Sequence, residues 1–346
     1  MTAPAPSSAE QPDGPLRCVL GADECLAVLD AYGLLGISGV RRFNKGNPAA
    51  PKALIEADSG RFLLKRRAPG LDEYARVKTE HTAQIALQRE GRPVPAPLAT
   101  RDGETIAVHQ RRLYELYPFI DAEPWSPGVE TAHAAGGVLA GLHDTFDRMG
   151  HAGESPAEDP GRVVRAFAHL GTIAPELRHA LERLRHDWES ARAHTESLAL
   201  PPARLTHGDF HPGNTLWRGQ KVVAVVDFET MRLDPFIKET PLAALYFALD
   251  TVGEDPEAWP DSPDVARLES FWNGYGAAER FEPALIEAAP WIMIEGLIAE
   301  ALPRACRNDG FRRRSTGEVL PFIARTAAWI AEHADGLGVV LLQSGH

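Results

Sequence analysis

The feature that most constrains this chain is a polar stretch, His207-Gly208-Asp209-Phe210-His211-Pro212-Gly213-Asn214. It is followed by Leu216-Trp217 and by an apolar run, Val222-Val223-Ala224-Val225-Val226, that ends in Asp227-Phe228-Glu229. Both apolar pieces read as strands, with Arg218-Gly219-Gln220 a short turn between them, so a hairpin is expected. Asn214 stands just before the outgoing strand and Asp227 ends the returning one. The hairpin therefore brings both to one end, beside Asp209 in the preceding loop. Three oxygen-bearing side chains converge, and such hard ligands suit Mg²⁺ that also takes oxygens from a nucleotide's phosphates.

The rest of the chain divides by texture. With 346 residues, about two domains or one domain in two lobes are expected. Residues 1–15, rich in Pro, Ser and Ala, read as a disordered leader. Residues 16–120 read as a strand-rich lobe with one long helix. In it, Lys52 to Ala57 and Arg61 to Lys65 flank the turn Asp58-Ser59-Gly60, a helix runs from Leu71 to Glu90, and strands cover Thr105 to His109 and Tyr114 to Ile120. Residues 121–346 read as mostly helical, with Ser126 and Pro127 at the start of a helix whose stripe includes Leu139, His143 and Phe146. His151 to Gly161 reads as a surface loop. Further helices are expected at Pro175 to Thr195, from Val265, and at Leu320 to His333.

Charge narrows the partners. Lys and Arg number 36 against 48 Asp and Glu, and the formal net charge of −12 would repel a nucleic-acid backbone or an anionic membrane. No stretch approaches the roughly 20 apolar residues of a membrane span, and the start lacks the basic and apolar regions of a signal peptide, so a cytoplasmic protein is expected. Cys18, Cys25 and Cys306 form no CxxC pair and indicate neither a disulfide framework nor a zinc knot.

Asp209 precedes Asn214 by five residues, the Asp-x-x-x-x-Asn interval of a kinase catalytic loop, and Asp227-Phe228-Glu229 falls where protein kinases carry a metal-binding Asp-Phe-Gly. HGDFHPGN, the hairpin and VVDFE together resemble the aminoglycoside phosphotransferase family, which includes choline kinase and type II homoserine kinase relatives and shares the protein-kinase-like fold. The likeness runs more loosely from about Gly36 to Arg304. It implies a bilobal α+β fold, a small antiparallel-sheet lobe plus a larger mostly helical one, with ATP between the lobes. The implied reaction moves the γ-phosphate of Mg·ATP to a hydroxyl of a small molecule such as an amino alcohol, a homoserine-like amino acid, a sugar or an aminoglycoside.

Residue by residue, the resemblance makes Asp209 the catalytic base and Asn214 and Asp227 the magnesium ligands. Lys65, ending Phe62-Leu63-Leu64-Lys65, would bind the nucleotide's phosphates. Glu80 would orient it from the next helix, ahead of a Gly91-Arg92-Pro93-Val94-Pro95 segment similar to the family's. Glu115 to Phe119 would connect the lobes and contact adenine. Three departures stand out. Asn44 to Asn47, where a phosphate-covering loop belongs, has no GxGxxG; Glu229 replaces the last glycine of Asp-Phe-Gly; and no aspartate follows Pro235 to brace the catalytic loop, leaving Glu239 as the substitute.

Two other functions compete. An inactive nucleotide-binding regulatory module would not need the full set of Lys65, Asp209, Asn214 and Asp227. A zinc hydrolase could use His207, Asp209 and His211, but gives no role to Asn214 or Asp227. For the acceptor, acids between Asp250 and Glu269 would suit a cation, whereas Arg304, Arg307, Arg312, Arg313 and Arg314 would suit a carboxylate; both clusters are read as solvated surface. Trp259, Trp272, Tyr275 and Trp291 are read as core residues rather than as a cage for a quaternary ammonium group, and His143 as a hydrogen-bonded core histidine.

Overall fold

Period-two burial organises the first part of the chain. The computed structural model describes residues 20–150, 152–153, 160–251, 255–306 and 315–344, so the expected leader lies outside the described residues. Contacts divide the chain into two compact units, Met1–Ile85 with Pro95–Phe119, and Ala86–Val94 with Ile120–His346.

The first unit holds α1 (Ala22–Ala31), β1 (Gly39–Phe43), β2 (Lys52–Ala57), β3 (Gly60–Arg66), α2 (Tyr74–Arg89, whose last turn belongs to the second unit), β4 (Ala107–His109) and β5 (Arg112–Pro118). The strands form one antiparallel sheet in the order β1-β2-β3-β5-β4. Successive strand side chains point to opposite faces. Phe62, Leu64, Tyr114 and Leu116 accordingly pack with Ile55 and with Cys25, Val28 and Leu29 of α1 in an apolar core. The alternate positions Lys65 and Glu115, paired in register, fall on the other face and are buried there too. Helix α2 begins three residues later than expected because Gly70 N–H donates to Asp72 Oδ1 at 3.0 Å, holding that segment in a turn.

The second unit is mostly helical: α3 (Val129–Arg148), β6 (Ala152–Gly153), α4 (Pro160–Ile173), α5 (Arg178–Thr195), β7 (Ala203–Thr206), β8 (Thr215–Arg218), β9 (Lys221–Val225), β10 (Arg232–Asp234), α6 (Phe236–Ala248), α7 (Val265–Tyr275), α8 (Ala277–Arg280), α9 (Pro283–Glu287), α10 (Ala289–Cys306) and α11 (Thr316–Gln343). Gly128, not Ser126, is the N-cap of α3, because the Thr131 hydroxyl folds back onto the Ser126 carbonyl at 3.0 Å and leaves Ser126 outside the helix. Helix α4 occupies the end of the segment expected to be a loop; the preceding residues 154–159 are outside the described set. No described helix is long and apolar enough to cross a membrane.

Two helices approach closely through glycine. A Cβ on Gly136 of α3 would lie 2.1 Å from the Phe271 carbonyl oxygen of α7, and one on Gly274 would lie 2.1 Å from that of His133. Between the helical blocks, β8 and β9 form the expected hairpin, with Thr215 opposite Val225, and Val226 N–H extends it by donating to Asn214 O at 2.9 Å.

Candidate active site

The loop after β7 turns through Gly208, whose φ of +78° is unfavourable for a side chain, and a Cβ there would meet the Thr230 carbonyl oxygen at 2.2 Å. This turn delivers Asp209 to the open end of the β8–β9 hairpin. Asn214 Nδ2 donates to both the Asp209 carbonyl, at 2.9 Å, and its carboxylate Oδ2, at 3.1 Å. Its amide oxygen is thereby turned away from Asp209, as a ligand to a cation requires. Asp227 ends the returning chain in left-handed backbone, φ 65° and ψ 59°, a conformation to which aspartate is better suited than most residues. The carboxylate and amide oxygens supplied by Asp227 and Asn214 fit Mg²⁺.

Asp209 is held from two further sides. Arg304 of α10 donates to Oδ1 at 2.9 Å, and His211 Nε2 lies 3.5 Å from Oδ2. Burial pushes the Asp209 carboxyl up, but His211 and Arg304 outweigh it and hold the group well below the usual carboxylate range. Arg304 was visible in the sequence only as the first of several arginines; Arg307, Arg312, Arg313 and Arg314 lie outside the described residues. Behind the pair, Glu300 accepts from the Tyr246 hydroxyl at 2.8 Å.

Glu239 supplies the missing brace. Its Oε1 accepts from Gly208 N–H and its Oε2 from His207 N–H, the latter at 3.2 Å. The buried His143 ties the same carboxylate to Tyr275, with 2.7 Å from Nε2 to Glu239 and 2.7 Å from Nδ1 to the Tyr275 hydroxyl, and stacks on Phe236. The two backbone donors thus receive a charged acceptor from the first turn of α6, one of the stronger kinds of hydrogen bond.

His207 is committed to the loop as well. Its Nε2 meets the Val226 carbonyl at 2.9 Å and its Nδ1 accepts from Asp209 N–H at 3.3 Å, while burial lowers its basicity. Both ring nitrogens are used by backbone, which argues against a zinc site on His207, Asp209 and His211. Among the described residues, no group of three or more His, Cys, Asp or Glu side chains is placed to hold a metal ion. Trp259, Trp272 and Tyr275 are buried core residues, and Trp291 stacks on His194.

A second polar cluster lies in the first unit. Lys65, Arg67, Glu80, His81, Gln84 and Glu115 are all buried. Arg67 pairs with Glu80 and, through Nε at 2.8 Å, with Glu115 Oε1, while Arg76 donates to Glu80 Oε1 at 3.1 Å. Glu115 Oε2 lies 2.7 Å from His81 Nε2 and accepts from the Tyr117 hydroxyl at 2.8 Å. Glu115 is therefore the buried centre of this cluster, within the strand expected at Tyr114 to Ile120, a role apart from the lobe-connecting one that the resemblance implies for Glu115 to Phe119.

On the loop that carries Asp209, Arg232 donates to the Gly208 carbonyl at 2.7 Å. Arg232, Leu242 and Glu300 line both the small recess at Gly208, Asp209 and Phe210 and a cavity of about 420 Å³ that extends to Trp188, Arg192 and Lys238.

A five-stranded antiparallel sheet unit with a helical unit carrying this loop and hairpin defines the protein-kinase-like α+β class. The sequence pattern of the phosphotransferase enzyme family, APH, matches residues 39–286, and the chain belongs to that family. Stress response kinase A of Salmonella choleraesuis (strain SC-B67) is 26% identical over 188 residues, 53% of this chain and 56% of that protein. A homoserine kinase of Rhodopseudomonas palustris (strain BisA53) is 26% identical over 209 residues, 59% of this chain and 60% of that one. The chain thus spans a little over half the length of these curated relatives. The structure of a spectinomycin phosphotransferase in complex with ADP and spectinomycin shares the fold, with a TM-score of 0.64 at 16% identity over 91% of this chain and 98% of that one. Arg304 lies beyond the family-matched residues.

Proposed function

We propose that this protein is a small-molecule kinase that moves the γ-phosphoryl group of ATP to an alcohol hydroxyl. The observation that carries this reading is Asp209, fixed by Asn214, His211 and Arg304 on a loop that Glu239 braces, with Asp227 at the end of the adjoining hairpin. The acceptor oxygen attacks the γ-phosphorus, the bond from that phosphorus to the β–γ bridging oxygen breaks, ADP leaves, and Asp209 takes the hydroxyl proton. Catalysis rests mainly on positioning and charge neutralisation. Asn214 and Asp227 are the residues that would hold Mg²⁺, whose charge offsets that of the phosphates. Lys65 binds the phosphates from its strand, and Glu80 supports it through the Arg67 cluster.

The cavity sharing Arg232, Leu242 and Glu300 with the recess at Asp209 supplies room for the acceptor. Arg192, Arg232 and Lys238 line that cavity beside Asp234, Glu295 and Glu300, so an acceptor carrying both a carboxylate and an ammonium group fits better than a purely cationic one. The relative named homoserine kinase is in keeping with a hydroxy amino acid.

The test is a panel of hydroxy acids, hydroxy amino acids, amino alcohols, sugars and aminoglycosides, assayed for ATP-dependent phosphorylation. A hydroxyl compound should be phosphorylated, and Asp209→Asn should lower turnover by about 10²–10⁴-fold without loss of nucleotide binding. Near-normal turnover in that variant would remove Asp209 from the role of base.

A further inference from the structure

The lysine assigned to the phosphates needs an ionised partner to hold it, and two buried carboxylates compete for that task. Glu80, on α2, is the one suggested by sequence. Its two oxygens are taken by Arg67 at Oε2 and Arg76 at Oε1. Glu115 stands directly opposite Lys65 in the β3–β5 ladder. Opposed residues of an antiparallel pair project to the same face, with Cβ atoms about 4.5–5.5 Å apart. Lys65 is 6% exposed and Glu115 0%, so they share a dry environment.

From this register and these partners we infer that Glu115 is the positioning residue for Lys65, while Glu80 serves to hold Arg67 against Glu115. Three groups fix the Glu115 carboxylate: His81 Nε2 at 2.7 Å and the Tyr117 hydroxyl at 2.8 Å on Oε2, and Arg67, whose Nη2 donates to Oε2 at 3.0 Å and whose Nε lies 2.8 Å from Oε1. His81 is itself anchored by Thr105, with 2.7 Å from Nδ1 to the hydroxyl. Protonation behaviour agrees with this division. Burial pushes both acids up; at Glu115 the His81, Lys65 and Arg67 interactions overcome it and hold the group well below its usual range, whereas at Glu80 burial prevails and the group is raised. Of the two carboxylates, Glu115 is the one whose charged form its surroundings, Lys65 among them, favour.

The inference rests on the assignment of Lys65 to the nucleotide's phosphates, so the experiment separates the two. Calorimetric titrations of Mg·ADP and of adenosine, which has no phosphate for Lys65 to bind, are made into wild type, Lys65→Ala, Glu115→Gln, Glu80→Gln and His81→Gln. Lys65→Ala and Glu115→Gln should each weaken ADP by about tenfold or more, the loss of one charge-assisted hydrogen bond, and leave adenosine unchanged. Glu80→Gln, which loosens Arg67 but leaves the Glu115 carboxylate in place, should weaken ADP less than Glu115→Gln does and leave adenosine unchanged. His81→Gln, which frees the Glu115 carboxylate without removing it, should show the same phosphate-selective loss in smaller measure, and carries the test if Glu115→Gln does not fold. ADP affinity insensitive to Glu115→Gln or, failing that variant, to His81→Gln, alongside a loss in Lys65→Ala, would overturn the inference alone. So would a loss in Glu80→Gln equal to that in Lys65→Ala. ADP affinity untouched by Lys65→Ala would overturn the assignment of the lysine and the inference with it.

Discussion

Glu239 shows how a single side chain sets the shape of the loop that carries Asp209. It accepts from two successive backbone N–H groups, at His207 and Gly208, and from His143. A glutamine of the same shape has one acceptor oxygen and must turn an N–H₂ group toward a donor. Glu239→Gln should therefore destabilise the protein by about 1–3 kcal/mol, the cost of leaving a buried donor unsatisfied, and slow turnover as the loop loosens. Burial pushes the Glu239 carboxyl up, but His143, His207 and Arg232 outweigh it and lower it below the 4.5 of an unperturbed glutamate. A group with a depressed folded pKa stabilises above its unfolded value and loses that contribution as pH falls through the folded one. The stability difference between wild type and Glu239→Gln should thus be largest at neutral pH and shrink below about pH 4.5, as denaturant melts across the acid range will show. A gap that widens on acidification would mean that the carboxylate is not what braces the loop.

At the scale of elements, the seam between α3 and α7 admits no side chain, because backbone carbonyl oxygens stand where a Cβ on Gly136 or Gly274 would go. Gly136→Ala should cost about 1–3 kcal/mol by overpacking. Gly336, in the exposed middle of α11 with nothing within 4 Å of a Cβ, should behave oppositely, and alanine there should add up to about 1 kcal/mol. Thermal melts of the two variants must shift in opposite directions; a fall for both would contradict the reading of the α11 site. Elements whose signal is local were legible in the sequence. The β8–β9 hairpin, the His143 stripe and Glu239 follow from spacing within a few residues. Helix α4 was hidden because Pro160 and Gly161 close a stretch rich in turn residues, although Pro at a first helical position is favourable. Arg304 was illegible for another reason: it reaches Asp209 across 95 positions of sequence, through helix packing that no local pattern encodes. Glu115 lay hidden in the same way, since its place opposite Lys65 depends on the β3–β5 register, a pairing between strands far apart in sequence.

In the molecule as a whole, labour is divided under the proposed function: the sheet unit would offer Lys65 to a nucleotide, and the helical unit carries Asp209, Asn214 and Asp227 on its loop and hairpin. Under that division the hairpin end would bind a divalent cation together with a nucleotide. Mg²⁺ keeps several waters and is usually held by one or two carboxylates together with substrate phosphates, so metal and nucleotide should bind as a pair. The most direct measurement is a calorimetric titration of ADP into wild type and Asp227→Ala, each with and without Mg²⁺. Mg²⁺ should tighten ADP binding to wild type and have no such effect on Asp227→Ala. Binding of ADP that is equally tight in both proteins and indifferent to Mg²⁺ would contradict this reading.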